Sequence, residues 1–336
     1  MPLPFIPLIV AGAVAASTAV AGKKGYDSFQ NMKETKELAE SLERKYKIAY
    51  KKFEENRDDT NRQFEDYGKL KLEILDTTMK DFVNSFKQIK NINFKGETVT
   101  DNFVSSKDLD SFVLNIEKQV IQAGQVLTAG VASLAGSGLA AMGAVGATTT
   151  FAAASTGTAI ASLSGIAAQN ATLAFLGGGS LATGGLGIAG GTMVLGGIAI
   201  APALAIGSLI FASTTEKKLE EMYQKKAEVN TEVEKLNAAS NVMIQIKSTT
   251  KSMYELAFST KTLLNSNILK MSTIISTKGF NFQDYSNEEQ HIIHNNYKLA
   301  VIMRDILNTT ILNEDGNLAP NINSVITSEK KKLTKF

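Results

Sequence analysis

A stretch of 97 residues, from Gln119 to Thr215, contains no Asp, Glu, Lys, Arg or His side chain. The chain as a whole is 20% charged, so an ordinary soluble segment of this length would carry about 19 charged side chains. A helix that faces water needs charged or strongly polar residues along one side, and this stretch offers only Ser, Thr, Asn, Gln and Gly. Residues 119–215 are therefore predicted to be surrounded by lipid or by other protein.

The charge-free stretch divides the chain into predicted regions. Residues 23–118 hold 19 basic and 19 acidic side chains, residues 216–336 hold 16 and 14, and residues 1–22 hold none. The predicted organisation is an apolar segment (1–22), a long helical arm (23–118), the uncharged region (119–215), a second arm with a short helix (216–312) and a basic tail (313–336). A net charge of +2 predicts no nucleic-acid partner.

Glycine is concentrated in the uncharged region, which holds 19 of the chain's 26 glycines. Glycine costs roughly 1 kcal/mol relative to alanine in a water-exposed helix, but in a bilayer small residues four apart let helices approach closely. This small-xxx-small pattern recurs throughout the region. The positions predicted to insert or to pack helices as a glycine zipper are Gly143, Gly146, Gly157, Gly165, Gly187 and Gly191, with Pro202 as a kink.

The strongest predicted span runs from Met193 to Ser213, and weaker spans are predicted at 126–147, 151–168 and 171–191. Two environments satisfy such segments: a bilayer, entered constitutively or after a trigger, and the interior of a soluble protein. A phosphate-binding loop would need a lysine after its glycines, and the region has none, so no nucleotide or other small-molecule substrate is predicted there.

The apolar N-terminal segment, Leu3 to Gly22, is followed at once by Lys23 and Lys24. It is long enough to anchor the chain in a membrane, with the lysines holding the following chain on the cytoplasmic side. The alternatives are an arm packed on the protein and a signal peptide, although a positive n-region is missing. Pro4 and Pro7 would shorten any helix here.

Two long amphipathic patterns flank the uncharged region. Residues 26–90 and 216–270 carry apolar residues at steps of three and four, with charged residues on the other face. The first pattern is too long for an ordinary globular helix, so the predicted fold is all-α, with long antiparallel helical or coiled-coil arms around a glycine-rich apolar helical hairpin. Asn56 and Thr60 interrupt the first stripe and either fix its register or mark a bend.

The remaining segments are shorter. Residues 91–107 are predicted to be a loop, and Ser106 or Asp108 to cap the next helix. The pair Ser286 and Glu289 predicts a capping box before a helix over 291–312. The tail after residue 313 contains Pro320 and several lysines, and is predicted to be loose.

Catalytic chemistry has little support in the sequence. There is no cysteine, and His291 and His294 are the only histidines. Glu288 and His291 have the spacing of half a di-iron carboxylate site, but no second half exists. The two histidines could share a helix face and bind a metal weakly, although two surface histidines is the simpler interpretation. We therefore predict no enzyme activity, no cofactor and no metal.

Several runs carry a resemblance. Residues 155–160 (STGTAI), 162–165 (SLSG), 170–174 (NATLA) and 176–185 (LGGGSLATGG), together with the opening MPLPFIPLIV and the junction 23–27 (KKGYD), resemble a widespread set of bacterial proteins with a glycine-rich apolar centre. By layout the chain also resembles α-helical pore-forming toxins of the hemolysin E type and, more distantly, apolipoprotein L proteins. These resemblances imply architecture and transfer no functional residue.

The expected function is that of an oligomeric helical protein, membrane-associated in a bacterial inner membrane or soluble until it inserts into a target bilayer. Pore formation or permeabilisation through residues 119–215 is the favoured outcome. The alternatives are a membrane-anchored coiled-coil scaffold that tethers a helical partner without a pore, and a wholly soluble helical interaction protein.

Overall fold

The computed structural model of this protein describes residues 23–94, 106–128, 215–312 and 317–336. Within these ranges the chain is almost entirely helical and contains no strand, which confirms the predicted all-α class. The helices are α1 (Lys23–Ile74), α2 (Lys80–Phe86), α3 (Ser106–Thr128), α4 (Thr215–Lys278), α5 (Asn287–Asn308) and α6 (Ile322–Leu333).

Helices α1 and α2 are joined without a break by a π-helical turn over Leu75–Met79. The extra residue in such a turn shifts the buried stripe around the helix, and Leu75, Thr78 and Met79 are all buried there. The predicted first arm, 26–90, thus corresponds to α1, the π-turn and α2. The second arm runs to Lys278, eight residues beyond its predicted end.

The chain forms two compact units. Among the described residues, unit 1 comprises 23–58 with 215–243, and unit 2 comprises 59–94, 106–128, 244–312 and 317–336. Unit 1 consists of the first part of α1 and the first part of α4. Unit 2 contains the remainder of both helices together with α2, α3, α5 and α6.

The two long helices run parallel, so the predicted antiparallel arrangement of the arms is wrong. In unit 1, side-chain hydrogen bonds join Glu34 to Tyr223 and Asn56 to Ser240, so residue numbers increase in the same direction along both helices. In unit 2 the pairs Asp59–Lys247 and Glu73–Lys261 rise in the same way. A stripe with steps of three and four has the same spacing in either chain direction, so it does not determine the relative direction of two helices. The long chain between the two arms can connect them in either arrangement.

The turn into α5 follows the sequence prediction closely. Gly279 adopts a positive φ of 81° directly after α4, the conformation that ends many helices. The Ser286 side chain accepts from the Glu289 backbone N–H while the Glu289 side chain accepts from the Ser286 N–H, which confirms the capping box. Because Ser286 is the N-cap, α5 begins at Asn287, earlier than predicted, and ends at Asn308.

The tail is not loose in its described part, 317–336, which corrects the prediction. Helix α6 covers Ile322–Leu333 and contacts α5 in unit 2, with Ile322 and Ile326 buried. These two isoleucines, four residues apart on one face, were overlooked beside the more prominent lysines. The lysines lie in the last turn of α6, where positive charge favours the helix dipole.

Candidate functional site

The residues predicted to insert or to pack in the membrane lie outside the described ranges. These are Gly143, Gly146, Gly157, Gly165, Gly187, Gly191 and Pro202. The apolar segment 1–22 also lies outside them. The structure therefore informs on the site through the helices that lie next to these segments, and mainly through the ends of those helices.

The first residues of the uncharged region belong to α3 in unit 2. Gln119 and Ala123 are buried, and the Gln119 amide donates to Asn308 Oδ1 at 3.2 Å. Protein thus covers one side of α3 at the beginning of the predicted membrane region. The exposed Ile121 lies on the opposite side of the same helix.

Unit 1 is held together by an apolar seam between α1 and α4. One cluster contains Ala39, Leu42, Met222 and Val229, and a second contains Ala49, Phe53, Leu236, Ala239 and Met243. With Tyr46, which is partly buried against both clusters, the α1 positions advance by alternating steps of three and four, the repeat of a coiled coil. The sequence stripes predicted these residues except Ala39 and Ala239, and the structure adds which of them face each other.

A polar pair interrupts the seam at Asn56 and Ser240. The Asn56 amide donates to Ser240 Oγ at 2.5 Å, and Ser240 is fully buried. A polar pair inside an apolar seam penalises any shift of one helix past the other, since the shift would bury unpaired groups. The structure therefore supports the register-fixing interpretation of Asn56 over a bend.

Three other buried hydroxyl groups in the two long helices form hydrogen bonds within their own helix. Thr35, Thr250 and Thr260 each donate to the carbonyl oxygen four residues earlier, at 2.6, 2.8 and 2.8 Å. They therefore enter a core without needing a partner on the facing helix. Asn56 differs from them because its bond joins α1 to α4.

The outer faces of unit 1 are adapted to water. Charged pairs one helical turn apart run along both helices: Lys33–Glu37, Lys36–Glu40, Lys47–Glu43, Lys51–Glu55 and Lys235–Glu232. Each exposed pair contributes only about 0–1 kcal/mol to stability. Their significance lies in solvation, because a surface dense in charge is excluded from hydrocarbon.

The two helices of unit 1 begin at the same end of the pair. Counted back from the hydrogen-bonded pair Glu34–Tyr223, the start of α1 at Lys23 lies about 17 Å along the axis and the start of α4 at Thr215 about 12 Å. Counted back from Asn56–Ser240, the two distances are about 50 and 38 Å, so the starts are offset by about 5 to 12 Å, or one to two helical turns. Residues 22 and 214, the last of the two preceding apolar stretches, therefore join the same end of unit 1.

Unit 2 buries a lysine that the sequence analysis missed. Lys71 and Tyr67 are both fully buried, and Lys71 Nζ lies 4.6 Å from the centre of the Tyr67 ring. Burial lowers the pKa of Lys71 to about 7 and raises that of Tyr67, whose hydroxyl donates to the Ile306 carbonyl at 3.4 Å. The available signal was position, since Lys71 lies four residues after Tyr67 and four before Leu75, on the buried stripe.

The two histidines differ in exposure, which corrects the interpretation of both as surface residues. His291 is exposed, whereas His294 is buried and stacked on Phe94 with ring centres 4.6 Å apart. Phe94 also meets Phe282 and Tyr297. His294 is thus part of an aromatic core, and within the described ranges no group of three or more metal-ligating side chains occurs.

Comparison with known proteins adds no assignment: no family model, curated protein or solved structure matches the chain. Among the helices of the described ranges, none is both long enough and apolar enough to cross a bilayer. The spans predicted from the sequence lie outside those ranges except for residues 126–128.

Proposed function

We propose that this protein inserts the charge-free region into a lipid bilayer as an oligomer and permeabilises it, with the paired long helices remaining in water. One observation carries the proposal, namely the abrupt partition of charge. The outer faces of α1 and α4 in unit 1 are lined with ion pairs, whereas the 97-residue stretch that leads into α4 contains no Asp, Glu, Lys, Arg or His side chain. Water suits the first surface and hydrocarbon the second.

Burial against protein is the competing environment, and α3 supplies an example of it. Only the first few residues of the charge-free region have described side chains that are buried in this way, as Gln119 and Ala123 are. Burial of Gln119 and Ala123 requires only that one side of α3 be apolar. The glycines further along, from Gly143 to Gly191, favour close contact between helices that are apolar all round.

The test uses purified full-length protein and liposomes of phosphatidylcholine and phosphatidylglycerol. Flotation of the protein with the liposomes, together with release of a trapped dye, is the expected result. Recovery of the protein as a soluble monomer that neither floats nor releases dye overturns the proposal.

A matched pair of substitutions locates the inserting segment. Ile206→Glu places a charge within the strongest predicted span, which costs about 2.5–3.5 kcal/mol at the centre of a bilayer, so flotation and leakage should fall. Ile244→Glu makes the same change at a position 45% exposed in α4 and should leave both unchanged. Equal behaviour of the two variants contradicts insertion at 193–213.

A second pair tests helix packing. Replacing Gly157, Gly165 and Gly191 together with leucine should abolish leakage, because the larger side chains hold the helices apart. The same three positions changed to alanine should keep most of the leakage. Unchanged leakage in the leucine variant counts against the glycine-zipper arrangement.

A scaffold that anchors in the membrane and tethers a partner remains the alternative, and one surface of α4 favours it. Between residues 258 and 277 the exposed side chains of α4 include Phe258 and Leu269, 50% and 71% exposed, and Lys270 is the only charged one among them. A face with large apolar groups and a single charge suits a protein partner. Flotation without dye release is the outcome that favours the scaffold.

A further inference from the structure

The parallel arrangement in unit 1 has a consequence for how the protein meets a membrane. Two stretches without ionisable side chains, 1–22 and 119–215, are far apart in the sequence. With antiparallel arms, the first stretch and the end of the second would leave from opposite ends of the helix pair. In the structure, α1 and α4 rise together from Glu34–Tyr223 to Asn56–Ser240, so both stretches lead into the same end.

We propose that this end of unit 1, where α1 and α4 begin, faces the bilayer and meets the lipid headgroups, and that residues 1–22 and the end of the charge-free region enter the same leaflet there. The inference rests on the proposed function and adds its orientation. The partner surface is the phospholipid headgroup layer, and the helix pair stands on it by the starts of its two helices.

The sequence at the two helix starts suits a headgroup layer. Lys23 and Lys24 open α1 directly after apolar chain, and Lys217 and Lys218 fall within the first four residues of α4, directly after Glu216. Lysines that flank a membrane segment interact with lipid phosphates and hold their side of the chain in water. Glu216 lies in the same first turn of α4, so that residues 215–218 carry two lysines and one carboxylate, a net charge of +1. The next acidic residues, Glu220 and Glu221, come more than one turn after Thr215.

The register keeps the two boundaries near each other along the axis. The helix starts differ by about 5 Å counted from Glu34–Tyr223 and by about 12 Å counted from Asn56–Ser240. Both starts can therefore lie in, or within about one helical turn of, a single headgroup layer, which is about 5–8 Å thick on each side of a bilayer. The Asn56–Ser240 pair limits this offset, since a slip of one helix by a heptad would displace one start by about 10 Å.

The proposed orientation also limits how many times the chain between α3 and α4 can cross the bilayer. Helix α3 packs on α2 in unit 2 and ends at Thr128, and the charged helix α4, which begins at Thr215, continues without a break into unit 2. Neither helix crosses a bilayer. Whatever crossings occur between residues 128 and 215 must therefore be even in number, because the chain returns to the side from which it left.

Energy transfer to a lipid surface tests the orientation. The chain has no cysteine, so a single cysteine can carry a donor dye at Met32 or Glu220, near the start of each helix, or at Glu55 or Asn241, near the other end of unit 1. All four positions are exposed. The acceptor is a dye on the headgroups of phosphatidylcholine–phosphatidylglycerol vesicles. Counted from the helix starts, the near positions lie about 14 and 8 Å away and the far positions about 48 and 39 Å.

The expected result is efficient transfer from both near positions and several-fold weaker transfer from both far positions. Equal transfer from all four positions, stronger transfer from the far pair, or transfer from only one near position overturns the orientation while flotation still upholds membrane binding. Failure of every labelled protein and of the unlabelled protein to float overturns the proposed function itself, so the two failures are distinguishable.

A second readout tests the even number of crossings. In vesicles to which the protein has bound from outside, cysteines placed singly at Ser111 in α3 and at Glu220 in α4 should both react with a membrane-impermeant maleimide. Protection of one of them and reaction of the other overturns the inference, because it places the two helices on opposite sides of the bilayer.

Discussion

The amide of Asn56 on α1 donates a 2.5 Å hydrogen bond to the hydroxyl of Ser240 on α4, next to the apolar cluster that contains Phe53 and Ala239. This bond links residues 184 positions apart in the sequence. Together with the hydrogen bond between Glu34 and Tyr223, it shows that the two helices run in the same direction within unit 1.

Cysteines at the positions of this pair should cross-link α1 to α4. The double variant Asn56→Cys, Ser240→Cys places two thiols on facing positions of α1 and α4, where the native side chains are in hydrogen-bond contact, in a chain that has no other cysteine. Mild oxidation should yield an intramolecular disulfide, detected as a mobility shift on non-reducing gels. The control pair Glu34→Cys, Met243→Cys would meet only in antiparallel helices, and efficient cross-linking there refutes the parallel arrangement.

The buried lysine makes stability depend on pH. Burial lowers the pKa of Lys71 in the folded protein to about 7 from 10.5, so unfolding takes up a proton between these values. The free energy of unfolding should therefore rise with pH, by up to about 1.4 kcal/mol per unit between pH 7 and 10.5. Urea titrations at pH 7 and pH 9 measure this slope, and both lie below the range in which tyrosines ionise.

Replacing the lysine separates this effect from other titrations. Lys71→Met keeps the apolar stem and removes the charge, so it should raise stability at pH 7 and flatten the slope. The matched control is Lys69→Met, whose side chain is 54% exposed in an ion pair with Asp66, and which should keep the wild-type slope. An equally steep slope in Lys71→Met contradicts the assignment to Lys71.

The aromatic core of unit 2 depends on Tyr297. Its ring meets those of Phe86, Phe94 and Phe112, with centres 6.2, 5.8 and 5.2 Å away. Tyr297→Ala should lower the free energy of unfolding by about 3–5 kcal/mol because it leaves a cavity among four elements of the core. Phe280→Ala, at a ring 50% exposed, should change it by less than about 0.5 kcal/mol. Similar losses in the two variants refute this account of the core.

The capping box at the start of α5 should contribute measurably to stability. Ser286→Ala removes the acceptor of the Glu289 backbone N–H, a bond of 3.2 Å, and should cost about 1 kcal/mol. Ser266→Ala is the control, since that serine is exposed within α4 and alanine favours a helix. A Ser286 variant as stable as the wild type would show that the cap contributes nothing to the folded state.

Local chemistry determined much of the fold in advance. Steps of three and four residues from Leu42 to Phe86 predicted the first arm, because a helix turns once in 3.6 residues and must bury one side. Ser286 and Glu289 predicted a helix start by side-chain geometry alone. The uncharged region was visible in the same way, since solvation of ionisable groups is a property of each residue type.

Tertiary structure decided what these patterns leave open. The stripe on α1 looks the same read forwards or backwards, so only the facing residues, such as Ser240 opposite Asn56, set the parallel direction. Lys71 was overlooked because charge ordinarily predicts exposure, yet its position beside Tyr67 in the packed core buries it. The sequence alone determined which segments are helical and which stretch avoids water, because those are local and solvation effects. Only packing between distant segments determined that both apolar stretches join one end of unit 1.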